Sequence, residues 1–205
     1  MTKVDLIERA DDAAIAAFLQ LLLTAPSRPA GGKAICLPGG STPFPILKSL
    51  AETMPDWRGI EVWPGDDRLV PEDHPASNTG KLRALLEPLG AKVVSLTEGA
   101  QPPRFALVWL GMGADGHIAS LFPNTDPQVA DPLPVRRLTP DPLPPEAPFD
   151  RLTLTIPALL DTEALMFVIR GDDKRAVFDG ALAGAHDLPI ARLLGAARQR
   201  VTCFT

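Results

Sequence analysis

The sequence predicts an α/β layered domain built on a mainly parallel sheet, and three observations carry that prediction. Short apolar runs with strand character alternate along the chain with stretches of helical periodicity, the order that lays helices on the faces of a parallel sheet. One run, Phe105–Leu110, is apolar on both faces, as a strand buried in the middle of such a sheet must be. Turns rich in glycine or charge follow the strands, at the ends where open α/β sheets bind ligands. A length of 205 residues fits one domain of ordinary size, so a single domain over 1–205 is expected.

From Val4 to Thr24 the apolar positions Leu6, Ile7, Ala10, Ala14, Ala17, Phe18, Leu21 and Leu22 recur at helical spacing and predict one amphipathic helix. Ala34–Leu37 reads as a strand ending in Pro38-Gly39-Gly40-Ser41-Thr42-Pro43, after which Ile46, Leu47, Leu50 and Ala51 resume helical spacing. Gly59–Trp63 is a second strand, Asn78–Leu89 a helix, and Lys92–Leu96 and Phe105–Leu110 further strands. Residues 127–148 hold eight prolines, which predicts a long surface loop with no helix or central strand. Strands at Arg151–Ile156 and Ala164–Ile169, a helix from Asp172 to about Ala183 and a closing strand at Val201–Phe204 complete the order.

Apolar residues at 45% and charged residues at 22% predict a folded globular chain. The N-terminus runs into a charged pattern instead of a signal-like apolar segment, and no apolar run reaches bilayer-spanning length. A cytoplasmic protein without membrane contact is expected. A net charge of -5 disfavours nucleic acid and anionic lipid as partners. Cys36 and Cys203 lie far apart in apolar runs, so buried free thiols are expected, not a disulfide or a metal cluster.

Gly39, Gly40, Ser41 and Thr42 follow a strand and open a helix, where free N–H groups and the helix dipole suit a phosphate. An ordinary tight turn fits those residues equally well. Ser41 is a poor candidate nucleophile, because the elbow pattern Gly-x-Ser-x-Gly fails at Pro43. Asp66-Asp67-Arg68 at a strand's carboxyl end can bind sugar hydroxyls and an anion, while the Ser77-Asn78 pair reads as a helix N-cap. The strongest local signal is Leu110-Gly111-Met112-Gly113-Ala114-Asp115-Gly116-His117, an apolar strand running into glycines that admit a ligand to backbone beside one acid and one histidine. Its Gly111, Gly113 and Gly116 fit the dinucleotide fingerprint in spacing alone, since the proline-rich loop stands where the next strand and its acid are required. His74 and His186 read as surface residues, whereas His117 has the polar setting of an acid–base group. Arg151 and Lys174 begin late elements, where further phosphate contacts could converge.

Taken together, Leu37–Pro43, Asp66–Pro71 with Ser77-Asn78, and Leu110–His117 continuing as Ile118-Ala119-Ser120-Leu121-Phe122-Pro123 resemble the 6-phosphogluconolactonase family. Arg151–Thr155 and Gly171–Lys174 resemble its later motifs in the same order. The resemblance implies a three-layer, modified Rossmann-like α/β domain shared with glucosamine-6-phosphate deaminases. It implies hydrolysis of a sugar-phosphate lactone with no metal or cofactor, by a monomer or weak homodimer. In that reading His117 takes a proton from water, Asp115 sets the imidazole, and Asp66 holds sugar hydroxyls or supports the base. Arg68, Arg151, Lys174 and the backbone around Gly39–Thr42 and Gly113 bind phosphate or stabilise the oxyanion. Two departures stand out: Asp67 replaces the family's usual Glu, and the segment between Leu96 and Phe105 is too short for the usual helix. A deaminase of the same fold would carry a Phe-Asn-Glu-Pro stretch where this chain has Ser120-Leu121-Phe122-Pro123. A catalytically silent sensor is the other rival, and retention of Asp66 and His117 counts against it.

Overall fold

In a computed structural model that describes residues 3–25, 32–143 and 148–205, the chain runs through ten strands and six α-helices among the described residues. In order these are β1 (Val4–Ile7), α1 (Asp12–Thr24), β2 (Lys33–Leu37), α2 (Pro43–Thr53), β3 (Ile60–Pro64), β4 (Asp66–Arg68), α3 (Asn78–Leu86) and β5 (Lys92–Val93). There follow β6 (Leu107–Leu110), β7 (Val135–Leu138), β8 (Arg151–Leu154), α4 (Ile156–Leu160), β9 (Ala164–Val168), α5 (Asp172–Ala183), α6 (Pro189–Ala196) and β10 (Arg200–Phe204). Seven strands form a parallel sheet in the order β1-β10-β9-β6-β2-β3-β5, and β4-β8-β7 form a small antiparallel one.

The large sheet is covered on both faces, which is why its central strands are apolar throughout. In β6, Val108 and Leu110 join one core with α4, α5, α6 and the small sheet, while Leu107 and Trp109 join another with α1, α2 and α3. Alternate side chains of a strand face opposite ways, so one four-residue run holds the three layers together. Each fully buried Leu or Val there contributes about 1.5–3 kcal/mol. Cys36 and Cys203 are buried free thiols, and burial pushes Cys203 up to about 12 and Cys36 higher still, with the nearby Asp66 carboxylate adding to the latter.

Three expectations are corrected. Residues 4–7 are not the start of a helix: they pair in parallel with β10, Val4 opposite Val201 and Ile7 opposite Phe204. A turn with Arg9 at φ +57 separates them from α1, which Asp11 caps through a 2.8 Å bond from the Ala14 N–H. The buried stripe of α1 is accordingly Ile15, Ala16, Leu19 and Leu23, leaving Leu21 73% exposed. The proline-rich stretch contains a strand, β7, in a proline-free interval at the edge of the small sheet, where only one ladder must be satisfied. Residues 144–147 of that stretch lie outside the described residues. The strand expected over Lys92–Leu96 is confined to two residues, and no helix separates it from β6.

Candidate active site

The chain passes from β2 to β3 on one side and returns to β6 on the other, so a crevice opens between the carboxyl ends of β2 and β6. A cleft of about 270 Å³ lies there, and it gathers Gly39, Gly40, Ser41, Thr42, Asp66, Arg68, Gly113, His117 and Lys174 from the ends of β2, β3, β6 and β9. Trp109 and Val168 also line it.

His117 is half-buried, and its Nδ1 lies 2.6 Å from Oδ1 of the more exposed Asp115, which also accepts the His117 N–H at 3.2 Å. A carboxylate at Nδ1 selects the tautomer protonated there and leaves the Nε2 lone pair available. The Phe122 ring lies 4.8 Å from the imidazole, centroid to centroid. Gly113 is glycine because the pair occupies its missing side chain's space: a Cβ would overlap His117 Nδ1 and stand 2.5 Å from Asp115 Oδ1. Ala119, at φ +50, turns the chain between His117 and Ser120, a conformation that costs a residue with a Cβ about 1 kcal/mol.

Asp66 is held by two residues to which the sequence reading gave no such role. Ser120 Oγ donates to its Oδ2 at 2.5 Å, and Asn78 Nδ2 donates to its carbonyl at 2.9 Å. Asn78 Oδ1 in turn accepts from Arg68 Nη1 at 3.1 Å, and the same nitrogen donates to the Ala76 carbonyl at 2.8 Å. Gly39 makes room for this clamp, since a Cβ there would overlap Oδ1 of Asn78 and stand 2.5 Å from its Nδ2. Ser77 is the N-cap of α3, as expected, accepting from the Gly80 N–H at 3.0 Å. Asn78 sits one residue further on, with nothing local to mark its reach to Asp66, twelve residues away.

Asp67 faces away from the cleft chemistry. Its buried carboxylate accepts from the N–H groups of Arg68, Asn78 and Thr79 at 2.8, 2.6 and 2.9 Å and from Ser77 Oγ at 3.1 Å, pinning β4 to the N-terminus of α3. Removing it in Asp67→Ala strands several buried donors and is expected to destabilise the fold by on the order of 3 kcal/mol. Urea unfolding of the variant checks this, and an unchanged midpoint contradicts it.

The two remaining cations part company. Lys174, in the first turn of α5, lines the cleft, and its side chain makes no hydrogen bond or ion pair with the described residues. Arg151 does not line it: the β4–β8 register sets Arg151 opposite Arg68, 3% exposed. Burial first and the Arg68 guanidinium second lower its pKa, with Asp66 and Asp67 opposing. Arg151 is therefore a buried second positive charge opposite Arg68. The N–H groups of Gly40, Ser41 and Thr42 donate to no acceptor among the described residues, and they open α2, whose first residue is Pro43. Among the described residues no three His, Cys, Asp or Glu are grouped to hold a metal, and no helix is long and apolar enough to cross a membrane.

Fold and cleft together define the class: a parallel α/β enzyme with an imidazole–carboxylate pair at the topological switch point of its sheet. The chain belongs to the family of glucosamine-6-phosphate isomerases and 6-phosphogluconolactonases, whose sequence profile matches residues 8–100 and 86–203. It is similar to the 6-phosphogluconolactonase of Mesorhizobium japonicum, 33% identical over 195 residues covering 85% of this chain and 82% of the relative. The enzyme of the same name from Pseudomonas aeruginosa is 36% identical over 174 residues, 75% of this chain and 73% of its own. Among solved structures, a 6-phosphogluconolactonase from Shewanella baltica superposes with a TM-score of 0.81 at 24% identity, covering 98% of this chain and 97% of that one. A monomeric glucosamine-6-phosphate deaminase superposes with 0.77 at 17% identity over 98% and 96% of the two chains. At such identities these two likenesses show the shared fold.

Proposed function

We propose that this chain hydrolyses 6-phospho-D-glucono-1,5-lactone to 6-phospho-D-gluconate, the lactone-opening step of the oxidative pentose phosphate pathway, with His117 as general base. The observation that carries the reading is the 2.6 Å Asp115–His117 contact on a glycine-rich loop at the rim of a cleft that Arg68 and Lys174 also line. His117 Nε2 takes a proton from water as the water oxygen bonds to the lactone carbonyl carbon. The carbonyl electrons move onto oxygen, and donors fixed in advance stabilise that charge best. When the intermediate collapses, the ring C–O bond breaks and the leaving oxygen takes the proton back from the imidazolium. Product is an open acid with a free hydroxyl, and the base is restored.

The cations Arg68 and Lys174 and the free N–H groups of Gly40–Thr42 give the phosphate and the oxyanion their partners, with the buried Arg151 opposite Arg68 adding positive charge. Asp66, clamped by Ser120 and Asn78, is poised to accept hydrogen bonds from sugar hydroxyls. All the proposed groups are side chains or backbone of this chain, so the reaction needs no metal, nucleotide or other cofactor, and the reading places it in the cytoplasm. A small-molecule lactone is its partner, with neither nucleic acid nor membrane, and the chain acts as a monomer or weak homodimer.

The test is pH-stat hydrolysis of freshly made 6-phosphogluconolactone, corrected for spontaneous opening, with and without chelator. Acceleration unaffected by chelator is expected, and the unphosphorylated lactone should be a poor substrate because the remote phosphate orients the ring. Lys174→Ala should raise the barrier for the phosphorylated lactone by about 1.5 kcal/mol, roughly tenfold, and narrow the preference between the two substrates. Equal turnover of both lactones by the parent chain would sink the phosphate assignment, and activity lost to chelator would sink the metal-free one.

A further inference from the structure

Outside the cleft, α6 grips the His117 loop at two places. The first turn of that loop is closed by Gly113 N–H donating to the His117 carbonyl and Gly116 N–H to the Gly113 carbonyl, both at 3.0 Å. From behind, Ile190 N–H donates to the Gly116 carbonyl at 3.1 Å, and Leu188 packs where a Cβ on Gly116 would lie 2.8 Å from it. Further along, Phe122 lays its ring against the imidazole, tilted by 39°. A single 3-10 turn over Pro123–Thr125 follows, with Thr125 Oγ1 and N–H both donating to the Phe122 carbonyl, at 2.8 and 3.0 Å. It ends at Asp126, held at φ +46, and there Arg192 takes hold. Its Nη1 donates to the Asp126 carboxylate and, at 3.0 Å, to the Pro127 carbonyl. Its Nε and Nη2 are fixed by Asp187 Oδ2 at 3.1 and 2.8 Å.

We propose that Arg192 is a positioning residue: it anchors the far end of the 122–127 segment on α6 and so keeps Phe122 seated on His117. Asp115 holds the imidazole by one edge, which leaves the ring free to tilt about that contact; an aromatic face against it removes the tilt. The frame is rigid because Ile190, Leu193 and Leu194 bury α6 in the core. Arg192 contributes little to global stability, since its partners Asp126 and Asp187 are 72% and 78% exposed and such pairs are screened. Its effect on rate rests on the reading of His117 as the base in the proposed reaction.

The experiment reads the imidazole Cε1–H resonances by NMR and turnover side by side. His117→Asn assigns the resonance by its loss, and Phe122→Leu removes the ring current and sets the end point. Arg192→Ala is expected to move the His117 resonance toward the Phe122→Leu position while His74 stays put. It should lower kcat by about 3- to 10-fold with KM within about twofold, the scale on which residues outside a site act through packed contacts. Combined with Phe122→Leu it should cost no more than Phe122→Leu alone, because both break one link, and Arg192→Lys should recover part of the loss. If Arg192→Ala does not fold, Asp126→Asn cuts the same link from the exposed side and serves for every readout. A His117 resonance that stays unmoved in the folded variant, or strictly additive losses in the double variant, overturns the proposal. The NMR arm needs no turnover, so a moved resonance in a chain that opens no lactone supports the positioning role and defeats the reaction assignment alone.

Discussion

His117→Asn is expected to fold, to bind 6-phosphogluconate much as the parent does, and to open the lactone with kcat lowered by roughly 10²–10⁴, the usual contribution of a positioned acid or base. Asparagine keeps a hydrogen-bonding group near Asp115 Oδ1, now 2.6 Å from the imidazole, but offers no atom that can take up a proton at the position of Nε2. The loss therefore falls on kcat and not on KM, because the cations that would hold the phosphate are untouched. A structural histidine would give the opposite pattern, a lower melting temperature and little change in turnover per folded molecule. A folded His117→Asn that binds the product analogue normally and turns over at the parent rate would remove the mechanism, whatever the family.

Why was His117 legible in advance and Asn78 not? The strand β6 announces itself through apolar residues on both faces, and a parallel strand places whatever follows it at the ligand-binding end of the sheet. Glycines, an acid and a histidine at that point need no long-range knowledge to be read. Asn78 occupies the first turn of a helix behind a serine that does cap it, so its local pattern is fully explained by capping. Only the approach of β4 to α3 turns its amide toward Asp66 and Arg68. Arg151 shows the same limit, because its place at the head of a strand gives no local sign that the antiparallel register with β4 sets it opposite Arg68 and buries it. At the N-terminus, Leu6 and Ile7 happen to continue the spacing of Ala10 and Ala14, and nothing local reveals that the competing partner is β10, almost two hundred residues on. Arg192 lies at the limit of such reading, because its meaning depends on Asp126 and Asp187 meeting across α6.

Gly113→Ala carries the second large expectation, a fall of about 10² in kcat/KM with the fold intact. Gly113 is not in the left-handed region that only glycine enters freely, so the backbone itself accepts alanine. What it cannot accept is the methyl carbon, which would overlap His117 Nδ1 and approach Asp115 Oδ1 to 2.5 Å. Those two atoms are the hydrogen-bonded pair, so the clash falls on the contact that orients the base. The loop is half-exposed at this point, and the cheapest relief is for the imidazole to swing outward by about an ångström, a displacement that alone costs about 10²-fold when a catalytic group must meet a bound substrate. Gly99→Ala is the matched control, since a Cβ there meets nothing within 4 Å and its backbone angle is ordinary. Thermal melting, kcat/KM and the His117 Cε1–H resonance should then separate the two variants: both fold, Gly99→Ala works as the parent does, and Gly113→Ala shows a displaced imidazole and a slow reaction. A Gly113→Ala protein that keeps the parent resonance and the parent rate would mean that the Asp115–His117 contact is not what aligns the base.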